Sequence, residues 1–205
     1  MAHVEQLRAR WIGLCDCIGV KDPAHTFGEL EVRYNEPHRA YHNLTHIAEC
    51  LQWHDHFARD FNDAATAEYA LWMHDVIYEP LSKDNEEQSA EYAIAVLGQQ
   101  DSRADMVRSM IRATRHQPEP LPPDESLVAD IDMLILAADQ GRYDQYTAQV
   151  RSEYAVVKDE DFKKGRSAFL QSLLARPKIY RIPTMREQFE QHARNNITRE
   201  LTFLK

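Results

Sequence analysis

Glycine and proline are scarce in this sequence, with 6 and 9 residues among 205, and no stretch is rich in either. No segment therefore has the composition of a long linker or a low-complexity region. A run of roughly 20 apolar residues, which a membrane-spanning helix needs, is also missing. Because 24 basic residues face 33 acidic ones, the net charge is −9. We therefore expect a globular protein with no membrane span and no duplex nucleic acid as partner.

Only three cysteines are present, Cys15, Cys17 and Cys50, which does not suit a disulfide framework. The first residues, Met-Ala-His-Val-Glu-Gln, lack the apolar core of a secretory signal. Both observations predict a reduced, cytoplasmic protein whose cysteines serve as small apolar residues. The length and the 43% hydrophobic content suit one domain over residues 1–205 with a substantial core.

Apolar residues recur at helical spacing almost throughout, and alternating β-branched runs are rare. In the first predicted helix, one face carries Leu7, Trp11, Leu14 and Cys15. The pattern predicts an all-α protein of about eight to ten helices.

Three predicted helix boundaries can be compared with the structure. Asn43 is the expected N-cap of a helix that carries His46. A later helix is expected to begin near Asp63 and to end near Tyr78, before a proline. The sequence Thr-Met-Arg-Glu from Thr184 has the pattern of a capping box and predicts the start of the last helix.

An adjacent pair, His74-Asp75, lies between apolar residues in the stretch from Ala70 to Tyr78. Burying both polar side chains costs free energy unless each finds a partner. Neighbouring side chains on a helix diverge by about 100°, so they can reach one common partner only where the helix ends. A metal ion is the natural common partner.

One upstream histidine and two downstream aspartates are further candidate ligands, namely His46, Asp130 and Asp132. The aspartates lie in the most apolar predicted helix, where a carboxylate needs a cation or a dense set of hydrogen bonds. Imidazole and carboxylate ligands suit one or two divalent ions of Mn, Fe, Co, Ni, Zn or Mg. Such a ligand set leaves coordination positions for water, as hydrolytic chemistry requires.

Taken in order, His46, the pair His74-Asp75 and an aspartate in a late helix resemble the ligand signature of the HD-domain superfamily of metal-dependent phosphohydrolases. In that superfamily the last ligand is usually the second aspartate of a D-x-D stretch, which the resemblance places at Asp132. The segment Tyr41-His42-Asn43-Leu-Thr-His46 also resembles the Y-H-N-x-x-H motif of cyclic-nucleotide phosphodiesterases. There the first histidine is the general acid and the second holds metal.

Over nearly its whole length the chain is similar to a bacterial family of small predicted HD phosphohydrolases. The shared motifs are Y-H-N-x-x-H-I, H-D-x-x-Y, D-N-E-x-x-S-A (Asp84 to Ala90), Thr114-x-His116, D-x-D-x-x-I-L and Arg151-x-Glu153-Tyr154. The resemblance implies an HD-domain helical bundle with a divalent metal ion bound by His46, His74, Asp75 and Asp132. It also implies hydrolysis of a phosphate ester, of a nucleotide or another small metabolite, by metal-activated water. His42 would protonate the leaving oxygen, the alternatives being that it orients a metal ligand or has a structural role.

Three further residues are candidates for contacts with the substrate or with a ligand. Arg39 either binds phosphate through its bidentate fork or forms a surface salt bridge. Glu86 either orients a ligand histidine or places a favourable charge at a helix N-terminus. His116 either contacts substrate or a second metal ion, or is a core histidine. Asp130 is expected to be a capping or hydrogen-bonding neighbour of Asp132.

Two other functions fit the same residues. The chain could be a catalytically silent HD-fold module that binds metal and nucleotide for regulation, or a purely structural helical protein. The expected partner of an enzyme is a small phosphorylated substrate. Because all-helical domains of this size often pair, a homodimer is a further expectation.

Overall fold

The computed structural model describes residues 2–204, with side chains from residue 4 onward. Within these residues the chain forms ten α-helices and two short 3-10 helices, and no strand. The predicted all-α class with about ten helices is therefore confirmed. The helices are α1 (Ala2–Ile18), α2 (Pro23–Tyr34), α3 (Leu44–His56), α4 (Ala64–Met73), α5 (Asn85–Leu97), α6 (Ala104–Ala113), α7 (Pro123–Asp132), α8 (Gln140–Glu153), α9 (Asp159–Leu174) and α10 (Pro183–Phe203), and the 3-10 helices are Ala58–Asp60 and Met133–Ala137.

The chain divides into two compact units, residues 1–129 and 130–205, and the boundary falls within α7. The single domain expected over residues 1–205 stays a prediction. Within the described residues, no helix combines the length and the apolar character that crossing a membrane requires.

In the first unit, α4 is the central helix and packs against α1, α3, α5 and α6. Its residues from Tyr69 to Met73 are fully buried, and Trp72 meets Trp11 edge to face with ring centroids 5.4 Å apart. The face of α1 predicted from the sequence is buried as expected, including Leu7 and Leu14. Because four helices pack against α4, the position of its C-terminal end, where the next turn begins, is well defined by the core.

The second unit contains α8, α9 and α10. Its buried ion pair joins Arg166 and Glu200, whose shortest N–O distance is 2.8 Å. Tyr143 donates its hydroxyl to the same carboxylate at 2.5 Å, and burial together with Glu200 raises the pKa of Tyr143 well above its usual range. This unit therefore has its own polar core contact between α8, α9 and α10.

Two of the predicted helix boundaries are corrected by the structure. The capping box expected at Thr184 is wrong, because α10 begins at Pro183 and, among the described residues, no side chain caps it. A proline suits the first helical position since its missing N–H would have no partner there. The helix that carries the His-Asp pair ends at Met73 and not near Tyr78.

Asn43 is confirmed as the N-cap of α3. Its side-chain oxygen accepts the backbone N–H of Thr45 at 2.8 Å, and its amide nitrogen donates to the carbonyl of Ala40 at 2.8 Å. An N-cap side chain satisfies one of the N–H groups that a helix start leaves without an intrahelical acceptor. The cap fixes where α3 begins, and with it the position of His46 in the first turn.

Asn43→Ala is expected to lower the free energy of unfolding by about 1 kcal/mol, because the first-turn N–H of α3 loses its acceptor. Urea denaturation followed by circular dichroism measures this change. Asp84→Ala is the matched control, since Asp84 precedes α5 but makes no side-chain cap bond. The expectation fails if both variants lose the same stability.

Candidate metal centre

His74 and Asp75 lie where a helix ends, as the divergence of neighbouring side chains requires. His74 is the C-cap residue of α4, and Asp75 follows in the turn. The backbone N–H of Val76 bonds to the carbonyl of Met73 at 3.1 Å and closes this turn. The bend brings the carboxylate of Asp75 to the same side as the His74 ring.

Three side-chain atoms converge beside this turn. Nε2 of His46 lies 3.2 Å from Nε2 of His74, and Oδ2 of Asp75 lies 3.0 Å from His74 Nε2 and 3.6 Å from His46 Nε2. Ligand bonds of about 2.1 Å place neighbouring ligand atoms ~3.0 Å apart in octahedral and ~3.4 Å apart in tetrahedral coordination. The three atoms therefore have the spacing of ligands to a single divalent ion.

The hydrogen bond behind the His74 ring suits this role. Its Nδ1 lies 2.9 Å from the carbonyl oxygen of Leu71, which can only accept a hydrogen bond. Nδ1 therefore donates this hydrogen bond, and Nε2 is the ring nitrogen that faces the centre. A backbone carbonyl behind a ligand histidine fixes both its tautomer and its orientation. Both histidine side chains are nearly inaccessible, with 2% exposure for His46 and 1% for His74.

Cys50 lies one turn after His46 on α3, a contact that the sequence analysis missed although the spacing of four residues indicates it. Its Sγ is 3.7 Å from Nε2 and 3.8 Å from Nδ1 of His46. A thiolate sharing the ion bound at Nε2 would lie ~3.6 Å from Nε2 but ~5 Å from Nδ1. Cys50 therefore packs against the imidazole and is not placed to share an ion bound at Nε2, although Sγ lies near enough to His46 for both to belong to a second group that could hold a metal ion.

His42 lies beside the converging atoms, in the segment between α2 and α3. Its ring stacks on Tyr78 with centroids 4.1 Å apart, and its centroid is 6.0 Å from that of His46. The side chain is half-buried. Its role as general acid stays a prediction.

The turn after α4 is held from α5 by two side chains. Ser89 Oγ accepts the N–H of Ile77 and donates to the carbonyl of the same residue, both at 3.1 Å. Asn85 accepts from the N–H of Glu79 at 3.0 Å and donates to its carbonyl at 2.9 Å. Both residues belong to the D-N-E-x-x-S-A stretch, so this motif was the feature of the sequence that pointed to them.

The same turn is held from the α2 side. The Tyr34 hydroxyl donates to the carbonyl of Trp72 at 2.8 Å, and Nε2 of His38 lies 2.8 Å from the carbonyl of Tyr78. The pKa of Tyr34 lies well above its usual range, mainly because the side chain is buried and secondly because of the negative charge of Asp75. Tyr34 thus stays a hydroxyl donor to the end of α4.

Arg39 is buried beside the centre and its side chain is 0% exposed. Its Nε donates to Glu36 at 2.9 Å, and its terminal nitrogens donate to three carbonyls, of His42 at 3.1 Å, Asp75 at 2.6 Å and Val76 at 3.1 Å. Arg39 therefore does form a salt bridge, with a Glu36 side chain that is 35% exposed, although its own guanidinium is buried. At least four of the five N–H groups of Arg39 donate to acceptors within the chain, which leaves at most one N–H group for a phosphate.

Two other predicted site residues lie at helix ends. Glu86 is in the first turn of α5, where a negative charge is favourable, and its Oε2 is 3.5 Å from Nε of Arg115. His116 follows α6 with a left-handed φ of 54°, a conformation that histidine tolerates better than most residues. Their contacts with substrate, ligand or a second ion stay predictions.

The two late aspartates lie at the start of the second unit. Asp130 accepts the N–H of Ile182 at 2.8 Å, and its Oδ1 is 3.7 Å from Arg181 Nη1. The hydrogen bond and the nearby guanidinium stabilise the fully buried carboxylate of Asp130. They fit the expectation that Asp130 is a hydrogen-bonding residue. Asp132 is the last residue of α7 and is half-buried. Its role as the fourth metal ligand stays a prediction.

Comparisons of this chain with protein-family models, with curated proteins and with solved structures found no match. The function must therefore be inferred from the site itself.

Proposed function

We propose that this protein is a metal-dependent phosphohydrolase that acts on a phosphate ester of a small metabolite such as a nucleotide. The observation that carries the proposal is the convergence of His46, His74 and Asp75 at ligand spacing. Three protein ligands leave coordination positions for water and substrate, which is the difference between a catalytic and a structural site. Asp132 would be the fourth ligand, on the strength of the sequence alone.

When bound, the divalent ion would supply Lewis-acid chemistry, which lowers the pKa of water towards about 7 and polarises a phosphoryl oxygen. The histidines would bind it through unprotonated nitrogens, and Asp75 would add a negative charge that favours a cation over a neutral ligand. The ring of His42, held against Tyr78, would donate its proton to the departing oxygen. The chain thus offers separate groups for holding the ion and for moving a proton.

The order of the residues supports the same proposal. Tyr41-His42-Asn43 precedes α3, His46 lies on it, and the His-Asp pair ends the next α-helix. On this ground we also propose that the chain belongs to the HD-domain superfamily. A cytoplasmic location and a homodimer remain predictions from the sequence.

The proposal is tested by assaying purified protein on phosphomonoesters, nucleotides and cyclic nucleotides with Mn, Co, Ni or Mg. We expect turnover that a chelator abolishes and that added metal restores. His46→Gln, purified in parallel, controls for contaminating phosphatases. If metal binds at the site but no substrate is turned over, the protein is instead a binding module of regulatory type.

A further inference from the structure

We propose that Arg39 is a positioning residue, whose guanidinium holds the segment carrying His42 at a fixed distance from the turn carrying His74 and Asp75. This inference rests on the proposed function, because it concerns the same site. It assigns Arg39 a role that acts through other residues and involves no contact with the phosphate.

The hydrogen bonds of one nitrogen atom carry the inference. Nη1 donates to the carbonyl of His42 at 3.1 Å and to the carbonyl of Asp75 at 2.6 Å, so a single atom bridges the two segments. Nη2 donates to the carbonyl of Val76 at 3.1 Å and binds the turn a second time. The candidate acid and a candidate ligand are thus joined through their own backbones.

The fork of the guanidinium is necessary for this arrangement. Carbonyls that follow the end of a helix have no intrahelical donor and need another partner. A planar guanidinium offers donors in fixed directions, whereas a lysine ammonium is a single nitrogen on a flexible stem. The buried charge is balanced by Glu36 and by the ring faces of Tyr34 and Tyr78, 5.2 and 5.5 Å from the guanidinium carbon.

The positioning role and the phosphate-binding role predict different measurements. A residue that orients ligands changes the affinity for the ion before any substrate is present. A residue that contacts phosphate leaves that affinity unchanged and weakens inhibition by inorganic phosphate. The exposure of 0% and the four engaged N–H groups favour the first outcome.

The test is Arg39→Lys, with Co²⁺ affinity measured by titration calorimetry in the absence of substrate. We expect the affinity to fall about 10- to 100-fold, as when other groups that orient metal ligands are removed. With metal saturating, kcat should fall while inhibition by inorganic phosphate stays within about 2-fold of the original protein. Unchanged Co²⁺ affinity together with weakened phosphate inhibition would overturn the positioning role.

Arg8→Lys is the matched control, since Arg8 also pairs with a glutamate, Glu31 at 3.3 Å, and covers an aromatic ring, Phe27 at 4.8 Å. It should leave Co²⁺ affinity unchanged. Glu36→Gln provides a second test should Arg39→Lys fail to fold, because it removes the carboxylate and leaves the carbonyl contacts. We expect its Co²⁺ affinity to fall by less than about 10-fold. Unchanged Co²⁺ affinity together with weakened inhibition by inorganic phosphate would again overturn the positioning role.

The two proposals fail in distinguishable ways. If the original protein binds no Co²⁺, both are overturned. If it binds Co²⁺ and Arg39→Lys weakens binding, but no phosphate ester is hydrolysed, the positioning role is supported and the proposed reaction is overturned.

Discussion

His46→Gln is expected to lower the affinity for Co²⁺ or Mn²⁺ by more than about 100-fold, beyond the 10- to 100-fold cost of losing a group that merely orients a ligand. Nε2 of His46 forms two edges of the ligand triangle, 3.2 Å to His74 and 3.6 Å to Asp75. Glutamine keeps a polar group of similar length but no imidazole lone pair. Calorimetric titration and the visible absorption of Co²⁺ both measure the loss.

His54→Gln is the matched control, because His54 is a second buried histidine on α3 and is 4% exposed. Its Nε2 lies 2.8 Å from the carbonyl of Ala64, and it is outside the group formed by His46, His74 and Asp75. We expect His54→Gln to cost stability and to keep metal affinity. Equal losses of affinity in the two variants, or none in His46→Gln, would count against a metal centre at these residues. Asp132→Asn, titrated in the same way, tests the fourth ligand.

His42→Asn should slow the hydrolysis of alkyl phosphate esters by about 10²- to 10⁴-fold, the contribution typical of a general acid. The same variant should hydrolyse p-nitrophenyl phosphate almost as fast as the original protein, because nitrophenolate departs without protonation. Metal affinity should be unchanged, since the His42 and His46 ring centroids are 6.0 Å apart and His42 is not among the converging atoms. Steady-state kinetics on the two esters measures the difference.

The control for His42 is His38→Gln. His38 also stacks on Tyr78, with centroids 6.3 Å apart, so this variant disturbs the same aromatic contact from another position. We expect His38→Gln to slow the hydrolysis of both esters equally. The decrease should be smaller than the one that His42→Asn causes with alkyl phosphate esters. If His42→Asn slows the hydrolysis of both esters to the same extent, His42 supports the structure of the site and does not transfer a proton.

Much of the helical architecture could be predicted, because apolar spacing reports which face of a helix is buried. The location of His74-Asp75 at a helix end also followed from the sequence, since two neighbouring side chains cannot otherwise reach one point. The position of that end did not. Apolar residues continue to Tyr78, as in a helix, but the carbonyls of Asp75 and Val76 are taken by Arg39.

The role of Arg39 shows why a motif alone does not fix a side chain's partner. Near a candidate phosphate site, arginine most often suggests a phosphate contact. Here its donors are used by the backbone of its own site, and only the fold shows that these carbonyls lie within reach. The capping pattern at Thr184 failed for a similar local reason, because the preceding proline already suits the first position of α10.

The paired bonds from Ser89 and Asn85 have a consequence for how tightly an ion would be bound. Each side chain both accepts from and donates to the backbone of one residue, Ile77 or Glu79, and so restricts that residue's conformational freedom. The entropy of ordering this stretch is lost when the chain folds and not when the ion arrives. Binding to a site organised in advance retains more of its interaction energy as affinity. The stretch lacks regular secondary structure, yet its paired bonds restrict its conformation before any ion is bound.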